Sequence, residues 1–326
     1  MSGWVAFAGP ATLGRGLGTQ RLPDEIAQGT FIFDLALGPE PRPIGLLAGD
    51  QGLALHLDPE AGVHLARRQG RVLHEARLPL RLPSDLRRLR LAYSWTTAEG
   101  QSRLTLETAG GTRLGRAVAA GAPALSGAEA ERIFTAALDP AVQWMGLAQG
   151  QVPGGMGAAL GAGCLVQTPA GPVRADALRP GDLVMTEDHG AQAVAFVRRQ
   201  AMPGFGSLTP VRLRGPYFGM AGDLIVAPNT LVQLRGAEVE YLFAEDEVLV
   251  QARHLSGSVM ALLETRRPLI GFVALGFARP ELLCVGLCTL CSAAPSARLP
   301  LPRRVLQAYE VIPLLAMRDR ARTAAA

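Results

Sequence analysis

The stretch that decides the fold of the second half of the chain is Gly163-Cys164-Leu165-Val166-Gln167-Thr168-Pro169-Ala170-Gly171-Pro172-Val173-Arg174-Ala175-Asp176-Ala177-Leu178-Arg179-Pro180-Gly181-Asp182-Leu183-Val184-Met185-Thr186. Leu165, Val166 and Thr168 suit a pleated strand, Pro169-Ala170-Gly171-Pro172 breaks it, and Leu183-Val184-Met185-Thr186 begins another. Between them, Arg179-Pro180-Gly181-Asp182 places Pro and Gly where a turn needs a fixed or a positive φ. The stretch therefore predicts two short strands joined through a turn.

The same residues resemble the opening of a Hint module, the self-processing domain of Hedgehog proteins and inteins, in its bacterial branch. The resemblance rests on "TPAGPVRADALRPGDLVMTEDHG" (Thr168 to Gly190), "PVRLRGPYFGMAGDLIVAPNTLVQL" (Pro210 to Leu234) and "YLFAEDEVLVQARHL" (Tyr241 to Leu255). It covers about half the chain, from about residue 159 to 315. It implies a Hint-type β-fold.

For chemistry the resemblance implies a loss. The family's nucleophilic Cys lies twelve residues before the Gly of Thr-Pro-x-Gly, and counting back from Gly171 reaches Ala159. The family's Ser-Pro-x-His block reads Ala227-Pro228-Asn229-Thr230 here. Its His-Leu-Leu-Phe-Asp-Arg-His-Glu block reads Ala274-Leu275-Gly276-Phe277-Ala278-Arg279-Pro280-Glu281. Self-processing starts when a thiol attacks the carbonyl of its own preceding peptide bond, which needs a strong nucleophile and a proton carrier near neutral pH. Alanine supplies neither. With Ala159, Ala227, Thr230 and Ala274 at the family's catalytic positions, the resemblance implies a degenerate, pseudo-Hint domain with no intact catalytic residue.

Cys164 is the one thiol near the reacting position. The alternative expectation is that it serves as a displaced nucleophile, so that the chain cuts itself and releases its N-terminal domain.

Length and composition bound the rest. A chain of 326 residues, 48% hydrophobic and 18% charged, is long enough for two ordinary domains with cores. All 32 basic residues are Arg, which excludes a P-loop lysine, a Schiff-base lysine and a Ser-Lys dyad. The net charge of +4 is small, the Arg residues are spread and aromatics are only 5%, so nucleic-acid binding is not expected. The first residues lack a basic segment and a long apolar core, and no apolar run is long enough for a transmembrane helix. The expected location is cytoplasmic, or outside the cell by a leaderless route.

The first half reads as an antiparallel β-sandwich. Gly29–Leu37, Leu53–Leu57, Val63–Leu65, Val72–His74, Leu89–Trp95 and Arg103–Thr108 are strand-like and separated by turn signals such as Gly49-Asp50-Gln51-Gly52 and Glu99-Gly100. This pattern resembles a concanavalin- or laminin-G-like sandwich, with Pro140 to Gly150 as the closing strand. Gly110–Gly127 reads as a loop, Glu129–Leu138 as a short helix, and the glycines of Gln149–Gly163 as a linker. The expected organisation is all-β: a sandwich over 1–150, a Gly-rich linker over 151–163, a Hint-like domain over 164–315 and a frayed tail over 316–326. The tail from Pro302 to Ile312 reads as one helix with Val305, Leu306, Tyr309 and Ile312 on its apolar stripe, ended or kinked by Pro313.

The remaining chemistry-bearing residues point to no cofactor and no metal. His56, His64 and His74 lie on neighbouring strands without a fourth ligand in view. Cys284, Cys288 and Cys291 have the CxxxCxxC spacing of a radical-SAM cluster. On one flat strand, however, alternation would send Cys291 to the opposite face, so buried apolar thiols are expected. Asp34, Glu75 and Glu107 are carboxylates on candidate strands, but alternation alone brings no two of them together for glycoside hydrolysis. The expected function is a non-catalytic binding or scaffold protein with a protein or glycan partner.

Overall fold

A computed structural model of the chain describes residues 3–9, 16–17, 22–40, 42–47, 52–293 and 299–323. Two compact units emerge, Met1–Gly155 and Met156–Ala326. Every strand ladder in both is antiparallel, and the chain is all-β with few helices.

The first unit is a sandwich. Its larger sheet has seven strands in the spatial order Arg113–Ala120, Gln101–Thr108, Arg88–Thr96, Gln28–Ala36, Val142–Gln149, Gly3–Ala8, Gly16–Leu17. The facing sheet has four, Ile44–Leu47, Leu53–Asp58, Gly62–Gln69 and Val72–Leu78, in sequence order. Phe31, Phe33, Leu91 and Tyr93 from the first sheet and Leu55, Leu57, Leu65 and Leu78 from the second meet in one core. Alternation of strand side chains places them there, and burial of that apolar area is the main stabilising term. Helix α1 (Gly127–Thr135) starts at Ser126. The Ser126 hydroxyl accepts the Glu129 amide at 3.2 Å, and the Glu129 carboxylate accepts the Ser126 amide at 2.9 Å.

Two expectations for this unit need correction. Arg113–Ala120, inside the stretch read as a loop, is an edge strand paired along its length with Gln101–Thr108. Its small residues suit an edge, where one side of the ladder faces away from the sheet. The helix read over Glu129–Leu138 begins two residues earlier and ends at Thr135, because the Ser126 cap sets its start.

The second unit holds two six-stranded sheets and a separate hairpin. The hairpin pairs Leu165–Thr168 with Gly171–Arg174 around Pro169-Ala170, so Gly171-Pro172 opens a strand rather than only breaking one. Gly171, at φ +113°, adopts a conformation closed to other residues. Leu183–Thr186 pairs with Gly190–Ala193. The core collects Val166, Val184, Val226, Val232, Val250, Val273 and Leu290. Helix α2 (Ala237–Phe243) and the single turn α3 (Ala252–Leu255) connect strands.

The last helix, α4 (Ala308–Thr323), departs from the expected tail. Val305 forms an isolated parallel bridge to Leu249, and the Leu306 amide donates to the Leu249 carbonyl, so both lie outside the helix. The Glu310 carboxylate accepts the Gln307 amide at 2.8 Å, which fixes the start at Ala308. Pro313 neither ends nor breaks it; the carbonyl it deprives of a donor is that of Tyr309, an exposed residue. The helix continues through most of the tail expected to fray; residues 324–326 lie outside the described residues.

Candidate functional site

The four positions picked out by counting lie together. Leu160–Gly161 is a two-residue strand between Leu224–Val226 and Leu269–Gly276, with Leu160 opposite both Val226 and Val273. One step along the same antiparallel register sets Ala274 opposite Ala159. The Ala227 amide donates to the Ala159 carbonyl at 2.9 Å. The Thr230 hydroxyl accepts the Ala159 amide at 3.0 Å and donates to the Ala159 carbonyl at 2.9 Å. Ala159, Ala227, Thr230 and Ala274 are all buried.

A residue that the sequence did not single out completes the clasp. Asn229 donates from Nδ2 to the Met156 carbonyl at 3.2 Å, and its Oδ1 accepts from the Arg253 guanidinium. The Arg253 amide in turn donates to the Pro228 carbonyl. Its only signal in sequence was a polar residue directly after Pro228.

Around Ala159 there is therefore a buried amide held by hydroxyl and backbone groups. Ala159 presents a methyl here and Thr230 a hydroxyl. A neutral hydroxyl is a poor proton carrier at neutral pH.

Cys164 sits nearby. Its Sγ lies 3.4 Å from the Ile225 carbonyl and packs against the core. Burial pushes its thiol up to about 11, with the hydrogen bonds to Ile225 and Gly161 opposing that rise. Among the described residues no histidine hydrogen-bonds to it. His189 is engaged elsewhere, its Nδ1 2.8 Å from the buried Glu281 carboxylate, which Arg279 also contacts at 2.8 Å. That contact gives His189 an acidic partner invisible in sequence, ninety-two positions away. His254, on α3, is held toward its neutral form by burial and by the adjacent Arg253.

The other cysteines take a different arrangement from the one expected. Leu282–Val285 and Cys288–Cys291 form a hairpin around Gly286-Leu287, with Val285 opposite Cys288 and Leu282 opposite Cys291. Gly286, at φ +63°, makes that turn possible. Cys288 joins the main core and Cys291 a small cluster with Leu249 and Leu282. Burial raises both thiols to about 12.

In the sandwich, the three histidines do not converge. His56 and His64 are cross-strand partners, while the buried His74 shares a 2.9 Å hydrogen bond with Ser102. Among the described residues no group of three His, Cys, Asp or Glu is close enough to hold a metal ion. The carboxylates form no open pair either. Asp34 and Glu107 are the cross-strand partners of Arg90 on its two sides, so a buried guanidinium stands between them. Glu75 lies in the other sheet, paired with Arg77 at 3.2 Å. A cavity of about 420 Å³ opens at one end of the sandwich, among Leu37, Ile44, Leu82, Leu86 and Pro140. Two of the arginines at its rim are matched by carboxylates, Arg42 with Asp139 at 2.6 Å and Arg81 with Glu60 at 2.9 Å.

Among the described residues no helix is long and apolar enough to cross a membrane. No curated protein matches the chain in sequence. Among solved structures, a splice-inactive variant of the AceL NrdHF class 3 split intein is similar at 15% identity and a TM-score of 0.29, covering 42% of this chain and 98% of that one. The gp41-1 intein is similar at 14% identity and a TM-score of 0.28, covering 42% and 100%. The LG1-3 region of the laminin alpha2 chain is similar at 10% identity and a TM-score of 0.25, covering 93% and 58%. The Hint domain family model matches residues 158–296. Those residues are a Hint domain, following an antiparallel β-sandwich in the chain.

Proposed function

We propose that this Hint domain has lost self-processing and that the chain is a non-catalytic binding or scaffold protein, with a protein or glycan partner for its sandwich. The observation that carries this reading is the environment of the Ala159 amide. The groups that touch it are the Thr230 hydroxyl and backbone, and the family's acyl shift requires a thiol at that residue and an imidazole beside it. An amide satisfied on both sides is stabilised rather than activated.

The competing reading, self-cleavage through Cys164, lacks support on two counts. A thiol raised to about 11 is a thiolate in only about one molecule in ten thousand at neutral pH. No imidazole hydrogen-bonds to it among the described residues to take its proton. The test is the alkylation rate of Cys164 in the folded chain at pH 7.5, followed by peptide mapping. The proposal expects a rate about three hundredfold below that of free cysteine, from the difference between about 11 and about 8.5. A rate equal to or above free cysteine would identify an activated nucleophile and favour self-processing.

A further inference from the structure

The cavity at one end of the sandwich is built by four separate segments. They are the connection from Gln28–Ala36 to Ile44–Leu47, the turn from Leu53–Asp58 to Gly62–Gln69, the connection from Val72–Leu78 to Arg88–Thr96, and the residues leading into Val142–Gln149. Each segment contributes a proline to the wall: Pro39, Pro59, Pro83 and Pro140 in turn. Ile44, Leu82 and Ala141, which also line the cavity, are buried. The segments are tied to one another as well as to their own strands. The Leu82 amide donates to the Pro59 carbonyl at 2.8 Å, the Leu37 amide to the Arg87 carbonyl at 2.8 Å, and the Ala36 amide to the Ala141 carbonyl at 2.9 Å. Pyrrolidine rings fix φ on all four segments, so little ordering is left for a ligand to impose.

The chemistry of this wall selects the ligand. Proline offers no N–H, and the amides just named are bonded within the protein. Arg42 pairs with Asp139 and Arg81 with Glu60. Arg87 Nη1 donates to the Ser84 carbonyl at 2.8 Å and to the Leu86 carbonyl at 3.3 Å, and the exposed Glu40 stands on the same rim. Three arginines thus meet three carboxylates, and the rim has no net charge to draw an ion. None of the described residues lining the cavity is aromatic, so a sugar or a nucleobase finds no ring to stack on. What the wall offers is aliphatic contact. An apolar cavity of about 150 Å³ is enough to hold benzene, and about 420 Å³ is roughly three times that.

We propose that this cavity binds a small uncharged aliphatic molecule, an alkyl chain or alicyclic skeleton of about ten to fifteen carbons. Its hydrocarbon part enters between the four prolines, and its burial takes apolar surface out of water without breaking a hydrogen bond of the protein. The site is distinct from the one a glycan partner of the sandwich would need, since it holds neither a stacking ring nor a set of free donors.

Calorimetric titration of the full chain with n-decanol tests this, with decanoate and decylammonium as charged analogues of the same chain length. The expected result is saturable binding at one site with a Kd of about 100 μM or tighter, and neither ion binding more tightly than the alcohol. Leu86→Trp, which adds bulk at the half-buried wall, should weaken decanol binding about tenfold or more with an unchanged circular dichroism spectrum. If that variant does not fold, Ser84→Trp, at an exposed position on the rim, gives the same readout. No saturable binding up to the solubility of the alcohol would overturn the proposal. So would tighter binding of either ion, or a folded variant of either kind that binds decanol as the unaltered chain does.

Discussion

The hydroxyl of Thr230 bridges both polar groups of Ala159, accepting its amide hydrogen at 3.0 Å and donating to its carbonyl at 2.9 Å. Seventy-one positions separate the two residues. The contact ties the Pro228–Thr230 loop to the first strand of the Hint domain. Thr230→Val keeps the shape and removes both bonds. The carbonyl keeps the Ala227 amide as a donor, but the Ala159 amide is left buried and unpartnered. Denaturant unfolding should therefore find this variant less stable by about 1–3 kcal/mol. A change within experimental error would mean that the clasp contributes nothing to stability.

Gly155 and Arg90 make a second prediction. A Cβ at Gly155 would lie 2.3 Å from Arg90 Nη2, so the backbone there rests directly on the guanidinium. Arg90 is buried between Asp34 and Glu107, and burial lowers its affinity for a proton while both carboxylates raise it. Gly155→Ala forces the guanidinium off these partners and should destabilise the sandwich by about 1–3 kcal/mol in thermal or denaturant unfolding. Gly157→Ala is the control, since a Cβ there has nothing within 4 Å.

His74 makes stability depend on pH. Burial, the largest cause, lowers its affinity for a proton, and Arg67 adds to that, against an opposing hydrogen bond to the Ala120 backbone. The unfolded chain therefore binds more protons than the folded one at mildly acidic pH. The stabilisation is full above the ordinary value of 6.5 and is lost as pH falls below it. His254 shifts in the same direction. The melting temperature should fall from pH 7.5 to pH 5, and His74→Gln should flatten part of that fall. An equal pH dependence in the variant would remove His74 from the account.

Much of this was legible in the sequence. Thr168-Pro169-Ala170-Gly171 matches a motif of the Hint family, so counting back from Gly171 by the family's spacing led to Ala159, and the resemblance of two further blocks led to Ala227, Thr230 and Ala274. The structure brings all four positions together because they sit on strands with fixed register. Other features depend on contacts far apart in sequence. The start of α4 depends on one carboxylate, that of Glu310, reaching back to Gln307; it lies six residues after the expected start at Pro302, and Tyr309 and Ile312, read as core, are exposed. Gly286 looked like one residue in an apolar run, yet it makes the hairpin that separates Cys284 from Cys288 and Cys291. Asn229 and Glu281 act through partners at Met156 and His189, which no local pattern marks.

The central claim is that nothing near Ala159 starts an acyl shift, and the intact mass of the full chain tests it most directly. The purified chain is incubated at pH 7.5 with an excess of thiol and, in parallel, with hydroxylamine. The account predicts a single species of 34.3 kDa in both after days of incubation. Two fragments joined at residue 158 or 163, absent from a Cys164→Ala control, would contradict it and make the domain a working protein cutter.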